Sequence, residues 1–264
     1  MIRNDIDWVQ LKKDFKTAKP FNYIIIDNFF LPELAEILTN EFPDYYADEV
    51  IKYKNALENK HTLNQWDKFP TLTYKTFDFL GKKLVEQFRI ITDEENLNFD
   101  FGLHGGGWHM HGRGGNNNIH LDYNLHPKLK EQRKLNIIIY MTKDWNPSWG
   151  GGLELWENDE KTRTPLKLHT TVENKYNRAI IFDTTQNSWH GLPKQLTCPD
   201  NVIRKSLAAY YTFKYDGKIE ERTKVLFVPR EEQKGNKEVL DLIKKRSDIN
   251  LSKEVYRNVT SKIT

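Results

Sequence analysis

At 264 residues the chain is long enough for about one to two domains and a well-buried core. Lysine and arginine number 40 against 37 aspartates and glutamates, a net charge of +3, which disfavours a dedicated nucleic-acid binder. The 38% apolar and 29% charged content is that of a soluble globular protein, and no run approaches the roughly 18 apolar residues of a membrane span. The stretch Met1 to Phe15 lacks the apolar segment of a secretory leader. The single cysteine, Cys198, excludes an internal disulfide and a cysteine-cluster zinc site, so a reducing, cytoplasmic setting is expected.

In chain order, Tyr23 to Asp27 is a short β-branched run. Pro32 suits a first helical turn, and Leu34, Ile37, Leu38 and Phe42 follow at helical spacing. Residues 44–70 are polar and aromatic with no clear period. A helix is predicted from about Thr71 to Arg89, with Phe77, Leu80, Leu84, Val85 and Phe88 on its apolar face. The character changes near residue 100. Short apolar runs then alternate with Gly, Pro, Asn and Asp: Ile119–Tyr123, Leu135–Met141, Leu153–Glu157, Pro165–Glu173, Arg178–Asp183, Asn187–Leu192 and Lys205–Phe213. Such runs predict a β-sandwich or barrel. Beyond Val228 the chain is highly charged, with a helix expected over Glu231 to Arg246 and fraying over the last dozen residues. The expected division is 1–100 as a helix-and-strand support region of the same domain, 101–215 as the β core, and 216–264 as a charged, partly helical extension.

Chemistry concentrates in the β region. The glycine-rich stretch 102–115 is neither a dinucleotide fingerprint nor a phosphate loop, since no lysine-serine/threonine pair follows its glycines. It reads as a loop bordering a site mouth, with Trp108 and Arg113 offering stacking and charge to a substrate. A packed connector is the alternative. His104, His109, His111 and His169 read as loop or surface residues, and His126, before Pro127, as a turn residue. Trp145, Trp149, Trp156 and Trp189 read as packing.

In the strand Ile119–Tyr123, His120 and Asp122 share one face. With His190 from a later strand they make the two-histidine, one-carboxylate set of non-haem Fe(II) oxygenases. Downstream, Arg204, Ser206, Ala208 and Tyr210 share a face, with Lys205 on the other. An arginine fork matches a carboxylate bidentately, and a serine two positions on adds a hydrogen bond. Asn136, Ile138 and Tyr140 share a face of their own strand, placing an amide and a hydroxyl inside an apolar barrel.

The order His120-x-Asp122, Arg133-x-x-Asn136-x-x-x-Tyr140, Gly150-Gly151-Gly152-x-Glu154-x-Trp156, His190 and Arg204-x-Ser206 resembles the Fe(II)/2-oxoglutarate-dependent dioxygenases, most closely their prolyl 4-hydroxylase-like branch. The likeness covers about residues 100–215, and NYIIIDNFFLPELAEIL resembles the strand and helix that precede this region in the family. It implies a mainly β fold with flanking α: a double-stranded β-helix (jelly roll) with N-terminal helices packed on one sheet and a C-terminal helix. It implies His120, Asp122 and His190 as metal ligands and catalytic centre. Arg204 and Tyr140, with Ser206 and Asn136, are implied at the 2-oxoglutarate carboxylate. The implied cofactors are Fe(II), 2-oxoglutarate and O₂, with ascorbate as a candidate stimulant. The implied reaction hydroxylates an unactivated C–H of a peptide, prolyl residues included, or of a small polar molecule, and releases succinate and CO₂. Asn136 stands where the family usually has threonine, and His109, Met110 and His111 occupy the region of an expected tyrosine. A halogenase on the same fold is disfavoured because Asp122 is present. A non-catalytic metal-binding jelly roll, carbohydrate-binding or structural, is the remaining alternative.

Overall fold

The structure, a computed structural model, describes residues 1–214, 216–217, 222, 224–248 and 251. The N-terminal part runs α1 (Trp8–Thr17), β1 (Tyr23–Ile26), α2 (Pro32–Asn40), β2 (Ile51–Lys54), β3 (Glu58–Leu63), α3 (Thr71–Phe79) and α4 (Val85–Thr92). The central part runs β4 (Asn98–Phe99), β5 (Gly107–His111), β6 (Asn116–Leu121), β7 (Glu131–Tyr140), β8 (Leu153–Asn158), β9 (Pro165–Val172), β10 (Ala179–Asp183), β11 (His190–Leu192) and β12 (Arg204–Lys214). Then follow β13 (Leu226–Phe227) and α5 (Lys237–Ser247). The described strands join one antiparallel sheet in the order β1-β10-β7-β12-β5-β3-β6-β11-β8-β9, with β13 on β6, β2 on β3 and β4 on β12. The sheet curls into the double-stranded β-helix expected, mainly β with flanking helices.

Alternation along β7 and β12 separates two environments. Leu135, Ile137 and Ile139 lie opposite Tyr211, Ala209 and Leu207 across the ladder. This face packs on Phe77, Leu80, Leu84, Val85, Phe88 and Ile91 of the helices. Each such buried side chain contributes about 1.5–3 kcal/mol of transfer free energy. The Phe88 and Tyr211 rings meet edge to face at 4.9 Å. Helix α2 begins at Pro32 as expected, buries Ala35 and Leu38, and is tied to the end of β7 by the Thr39 hydroxyl, which donates to Met141 O at 3.0 Å. The opposite face of β7 and β12 looks into the barrel.

The helix predicted over 71–89 is divided. Residues Leu80–Leu84 form a π turn between α3 and α4. A Cβ on Gly81 would come within 2.6 Å of the Phe101 ring, so glycine lets the following chain pack against this turn. Tyr211 Oη donates to Leu80 O at 3.1 Å, supplying a partner where the regular ladder changes. The aperiodic 44–70 segment holds β2 and β3. The glycine-rich stretch expected as a loop contains β5, paired with β12 on one side and β3 on the other. The C-terminal helix expected over 231–246 is a single 3₁₀ turn at Glu231–Gln233 followed by α5, whose N-cap Asn236 accepts from Glu238 N and Val239 N. Strands from both flanking segments enter the central sheet: β1 pairs with β10, and β13 pairs with β6. The expected fraying of the last dozen residues lies outside the described residues. Among the described residues no helix is long and apolar enough to cross a membrane.

Candidate active site

The inner face of β12 presents Arg204, Ser206, Ala208 and Tyr210 to a cavity of about 430 Å³. Asn136 and Ile138 of β7 line the same space, with Tyr210 opposite Asn136 and Ala208 opposite Ile138. Lys205 points the other way. Its Nζ donates to Thr39 O at 3.2 Å and lies 5.4 Å from the Phe42 ring centroid.

His120 of β6 and His190 of β11 face each other across the ladder, ring centroids 4.4 Å apart. Asp122 follows the end of β6. One ligand atom from each of the three lies within 4.8 Å of the others, and all three are buried. Their orientation follows from their outer hydrogen bonds. His120 Nδ1 lies 2.8 Å from Asn118 O, and His190 Nδ1 lies 2.7 Å from Ser188 O. A carbonyl only accepts, so each Nδ1 carries the proton and each Nε2 is left as a base facing Asp122. The Nε2 atoms stand 3.8 and 3.9 Å from its carboxylate oxygens. Asp122 is itself oriented: Tyr210 Oη donates to Oδ1 at 3.2 Å and Asn136 Nδ2 to Oδ2 at 3.3 Å. Burial, and then the neighbouring His190, push the His120 pKa down to about 3. Burial alone would raise that of Asp122, but His190, His120 and Arg133 outweigh it and the carboxyl titrates below its usual range.

Arg204 is 2% exposed and has no carboxylate partner among the described residues. Its Nε donates to Gly151 O at 2.8 Å, and its guanidinium lies 5.0 Å from the Tyr140 ring centroid. Asn136 Oδ1 is buried with no hydrogen-bond partner among the described residues, and the Tyr140 hydroxyl is buried beside the guanidinium. A buried guanidinium with no counter-charge is unfavourable unless an anion completes it. A carboxylate fits that donor set. The two-nitrogen, one-carboxylate triad fits Fe(II).

Two expected substrate contacts are corrected. Trp108 is 1% exposed on the outer face of β5, with its ring centroid 5.5 Å from that of Phe42 and 5.0 Å from that of Phe69. Strand alternation sends 108 and 110 to the helix-side core and 109 and 111 to the cavity. Arg113 is exposed in the turn after β5, where it donates to Cys198 O at 3.3 Å, outside the cavity lining. His104, His109 and His111, expected as loop or surface residues, instead line the cavity. Burial keeps His109 neutral, its pKa down to about 3, and moves His111 well below its ordinary value. Neither ring nitrogen of His111 has a hydrogen-bond partner among the described residues. His126 faces Asp100, with Nε2 3.5 Å from the carboxylate, away from the triad.

Sequence reasoning also missed the support around the site. The Arg133 guanidinium lies between Tyr123 and Tyr210, 3.4 and 3.5 Å from their ring centroids, and so steadies the tyrosine that holds Asp122. Arg246 of α5 pairs with buried Glu58 of β3, and both line the cavity with Lys60. Burial would raise the Glu58 pKa, but Lys60 and Arg246 hold it at about 2. The Arg133 motif position was visible, but its stacking partners come from 10 residues upstream and 77 residues downstream, beyond any local pattern.

Residues 106–212 match the family model described as 2OG-Fe(II) oxygenase superfamily. No curated protein matches the chain. Among solved structures, a prolyl-4-hydroxylase from Pseudomonas putida is similar at 16% identity and TM-score 0.54, over 80% of this chain and 100% of that one. A Trichoplax adhaerens prolyl hydroxylase, solved with a hypoxia inducible factor peptide fragment, is similar at 13% identity and TM-score 0.50, over 78% of this chain and 89% of that one. These likenesses establish the shared fold. The family match runs from the start of β5 nearly to the end of β12, the strands that frame the His-Asp-His cluster and Arg204, so this region of the chain matches the 2OG-Fe(II) oxygenase superfamily on a fold shared with the prolyl hydroxylases.

Proposed function

We propose that His120, Asp122 and His190 hold Fe(II), that Arg204, Tyr140, Ser206 and Asn136 receive 2-oxoglutarate, and that the enzyme hydroxylates a C–H of a peptide or small polar substrate. The observation that carries this reading is that a buried His-Asp-His cluster and a buried arginine with no acidic partner among the described residues line one cavity. When bound, iron supplies O₂ activation coupled to decarboxylation of 2-oxoglutarate to succinate and CO₂. The protein's own work is placement. His120 and His190 turn their Nε2 atoms toward the metal position, held there by the Nδ1 contacts to Asn118 O and Ser188 O, and Tyr210 and Asn136 fix the Asp122 carboxylate. Arg204 orients the distal carboxylate of the co-substrate. Ile138, Leu153, Leu192 and Ala208 give the cavity an apolar lining that excludes water.

A peptide substrate is supported by the prolyl hydroxylase fold and by the peptide seen with the Trichoplax protein. A small polar molecule suits the enclosed, histidine-rich wall. The balanced charge favours either over nucleic acid. The single, buried cysteine supports a cytoplasmic setting. The division at residues 100 and 215 serves as a functional one, with core, support and closing extension sharing one sheet. The test is succinate formation by the purified chain with Fe(II) and 2-oxoglutarate, followed by proton NMR, alongside calorimetric titration of 2-oxoglutarate into the Mn(II)-loaded protein. Turnover and binding that both require the metal are expected. A protein that binds metal but neither binds nor decarboxylates 2-oxoglutarate would instead be the non-catalytic jelly roll.

A further inference from the structure

The chamber around the triad has a second cationic wall. Arg204 of β12 pairs with His111 of β5, and Met110 of β5 pairs with His61 of β3, which brings Lys60 beside His111 on the far side. Arg204, His111 and Lys60 thus form a row across three neighbouring strands, and all three line the cavity. At about 4.8 Å per strand, the two cations spring from backbone positions about 10 Å apart. On β3 itself, Glu58, Lys60, Thr62 and Asn64 share the inward face.

Lys60 is only partly paired. Its side chain is 16% exposed, and its Nζ lies 3.0 Å from Glu58 Oε2. The other oxygen of Glu58 accepts from Arg246. Holding α5 to β3 needs one cation on that carboxylate, and Arg246, 4% exposed, already supplies it. One carboxylate does not balance two cations. Among the described lining residues the only other carboxylate is Asp122, which belongs to the His-Asp-His cluster. An ammonium carries three donors, and Glu58 takes one of those on Lys60. The histidines register the excess. Burial first, and then the positive charges of Lys60 and Arg204, depress both His109 and His111.

These groups select a charge. A bound Fe(II) and a 2-oxoglutarate dianion cancel, so loading the site leaves the Lys60 end of the chamber positive. A cleft of one sign concentrates ligands of the other. A cationic substrate would be repelled there, and a neutral one would leave the Lys60 donors without an anionic partner. A carboxylate or phosphate oxygen forms the charge-assisted bonds they are set to make. We propose that Lys60 recognises the substrate and that the substrate carries a carboxylate or phosphate group, seated at the end of the chamber away from Arg204. This rests on the oxygenase reading above and narrows its substrate to an anion.

The test uses the full chain loaded with Mn(II) and saturating 2-oxoglutarate, so that Arg204 is already engaged. The probes are pairs that differ chiefly in charge: N-acetyl-L-glutamate with N-acetyl-L-glutamine, and O-phospho-L-serine with L-serine. Paramagnetic broadening of probe protons by Mn(II) reports binding beside the metal. The acid of at least one pair is expected to broaden, with its neutral partner binding at least about tenfold more weakly. Which pair responds separates carboxylate from phosphate. Lys60→Met should weaken binding of that acid by about ten- to a hundredfold, the range for one charge-assisted hydrogen bond, and Lys60→Arg should retain it. Glu58 keeps Arg246 in both variants. If Lys60→Met does not fold, the matched pairs on the unaltered chain decide. Equal broadening by an acid and its neutral partner, silence from every probe, or binding that survives Lys60→Met unchanged would overturn the proposal. Calorimetry separates the two readings. Failure of 2-oxoglutarate to bind the Mn(II) protein would sink the oxygenase assignment and this proposal with it, whereas normal binding without a preference for anions would overturn this proposal alone.

Discussion

The two faces of β12 differ in kind. On the helix side, Leu207, Ala209 and Tyr211 join a close-packed core, and the Tyr211 hydroxyl has its partner in Leu80 O. On the barrel side, Arg204 faces Tyr140 and a cavity, amid His111 nitrogens and an Asn136 oxygen with no partners among the described residues. One face is satisfied by the fold alone, whereas the other is completed only by what binds there. Substitutions on the first should therefore change stability, and on the second, binding.

The largest contrast is expected at the triad. His120→Ala or His190→Ala should abolish metal-dependent turnover and tight Mn(II) binding by calorimetry, with the melting temperature of the metal-free protein nearly unchanged. Full iron occupancy in either variant would break the comparison. Next comes the opposite face. Trp108→Ala should lower unfolding free energy by about 3–5 kcal/mol in urea titration, as for other buried aromatics. The 2-oxoglutarate affinity of the folded fraction should remain intact. Arg204→Ala should weaken 2-oxoglutarate binding to the Mn(II) protein by about 2–3 kcal/mol, the loss of a charge-assisted pair, with metal affinity kept.

A smaller effect concerns pH. Glu58 is held at about 2 in the folded protein against an ordinary value of 4.5. A depressed folded pKa contributes stability that is present above 4.5 and lost as pH falls toward about 2. Hydrogen exchange of α5 should rise across that window. Arg246→Ala removes one of the cations that depress Glu58, and should move the onset to higher pH. Lys205→Ala, half-buried on the helix side, should cost about 0.5–1.5 kcal/mol, the net worth of one hydrogen bond, with 2-oxoglutarate binding kept. The smallest effect belongs to Arg113→Ala, within about 0.5 kcal/mol in stability as for ordinary surface changes. A large loss of 2-oxoglutarate binding in Lys205→Ala would mean that the faces of β12 had been assigned the wrong way round.

The faces of β7 and β12 were legible because period-2 alternation over ten or eleven residues leaves little freedom of register. The His120, Asp122 and His190 cluster was legible because each lies in or beside a short strand, where the same rule fixes a shared face. β5 was hidden by its glycines, which in isolation signal a loop. In the fold, Gly107 is required because a Cβ there would collide with Leu63 O, and its φ of +91° suits glycine. With β5 unread, Trp108 fell on the wrong side of the wall. β3, with sequence ENKHTL, was hidden because its inward positions face a polar cavity and show no apolar alternation. The pairing of Glu58 with Arg246 spans 188 positions, and only the folded chain reveals it.

That last pairing bears on how the molecule comes into being. Emerging from the ribosome N-terminus first, the chain has all three members of the triad by residue 190 and the arginine clamp by residue 204. Phe227, which pairs with His120 across the ladder, and Arg246, which closes on Glu58, are still to come. Domains on nascent chains fold as their residues become available. The oxygenase centre can thus be assembled while one wall of its chamber is still inside the exit tunnel. Until α5 docks, the cavity lacks the wall that Phe227 and Arg246 supply, and that wall is made after the triad and the arginine clamp.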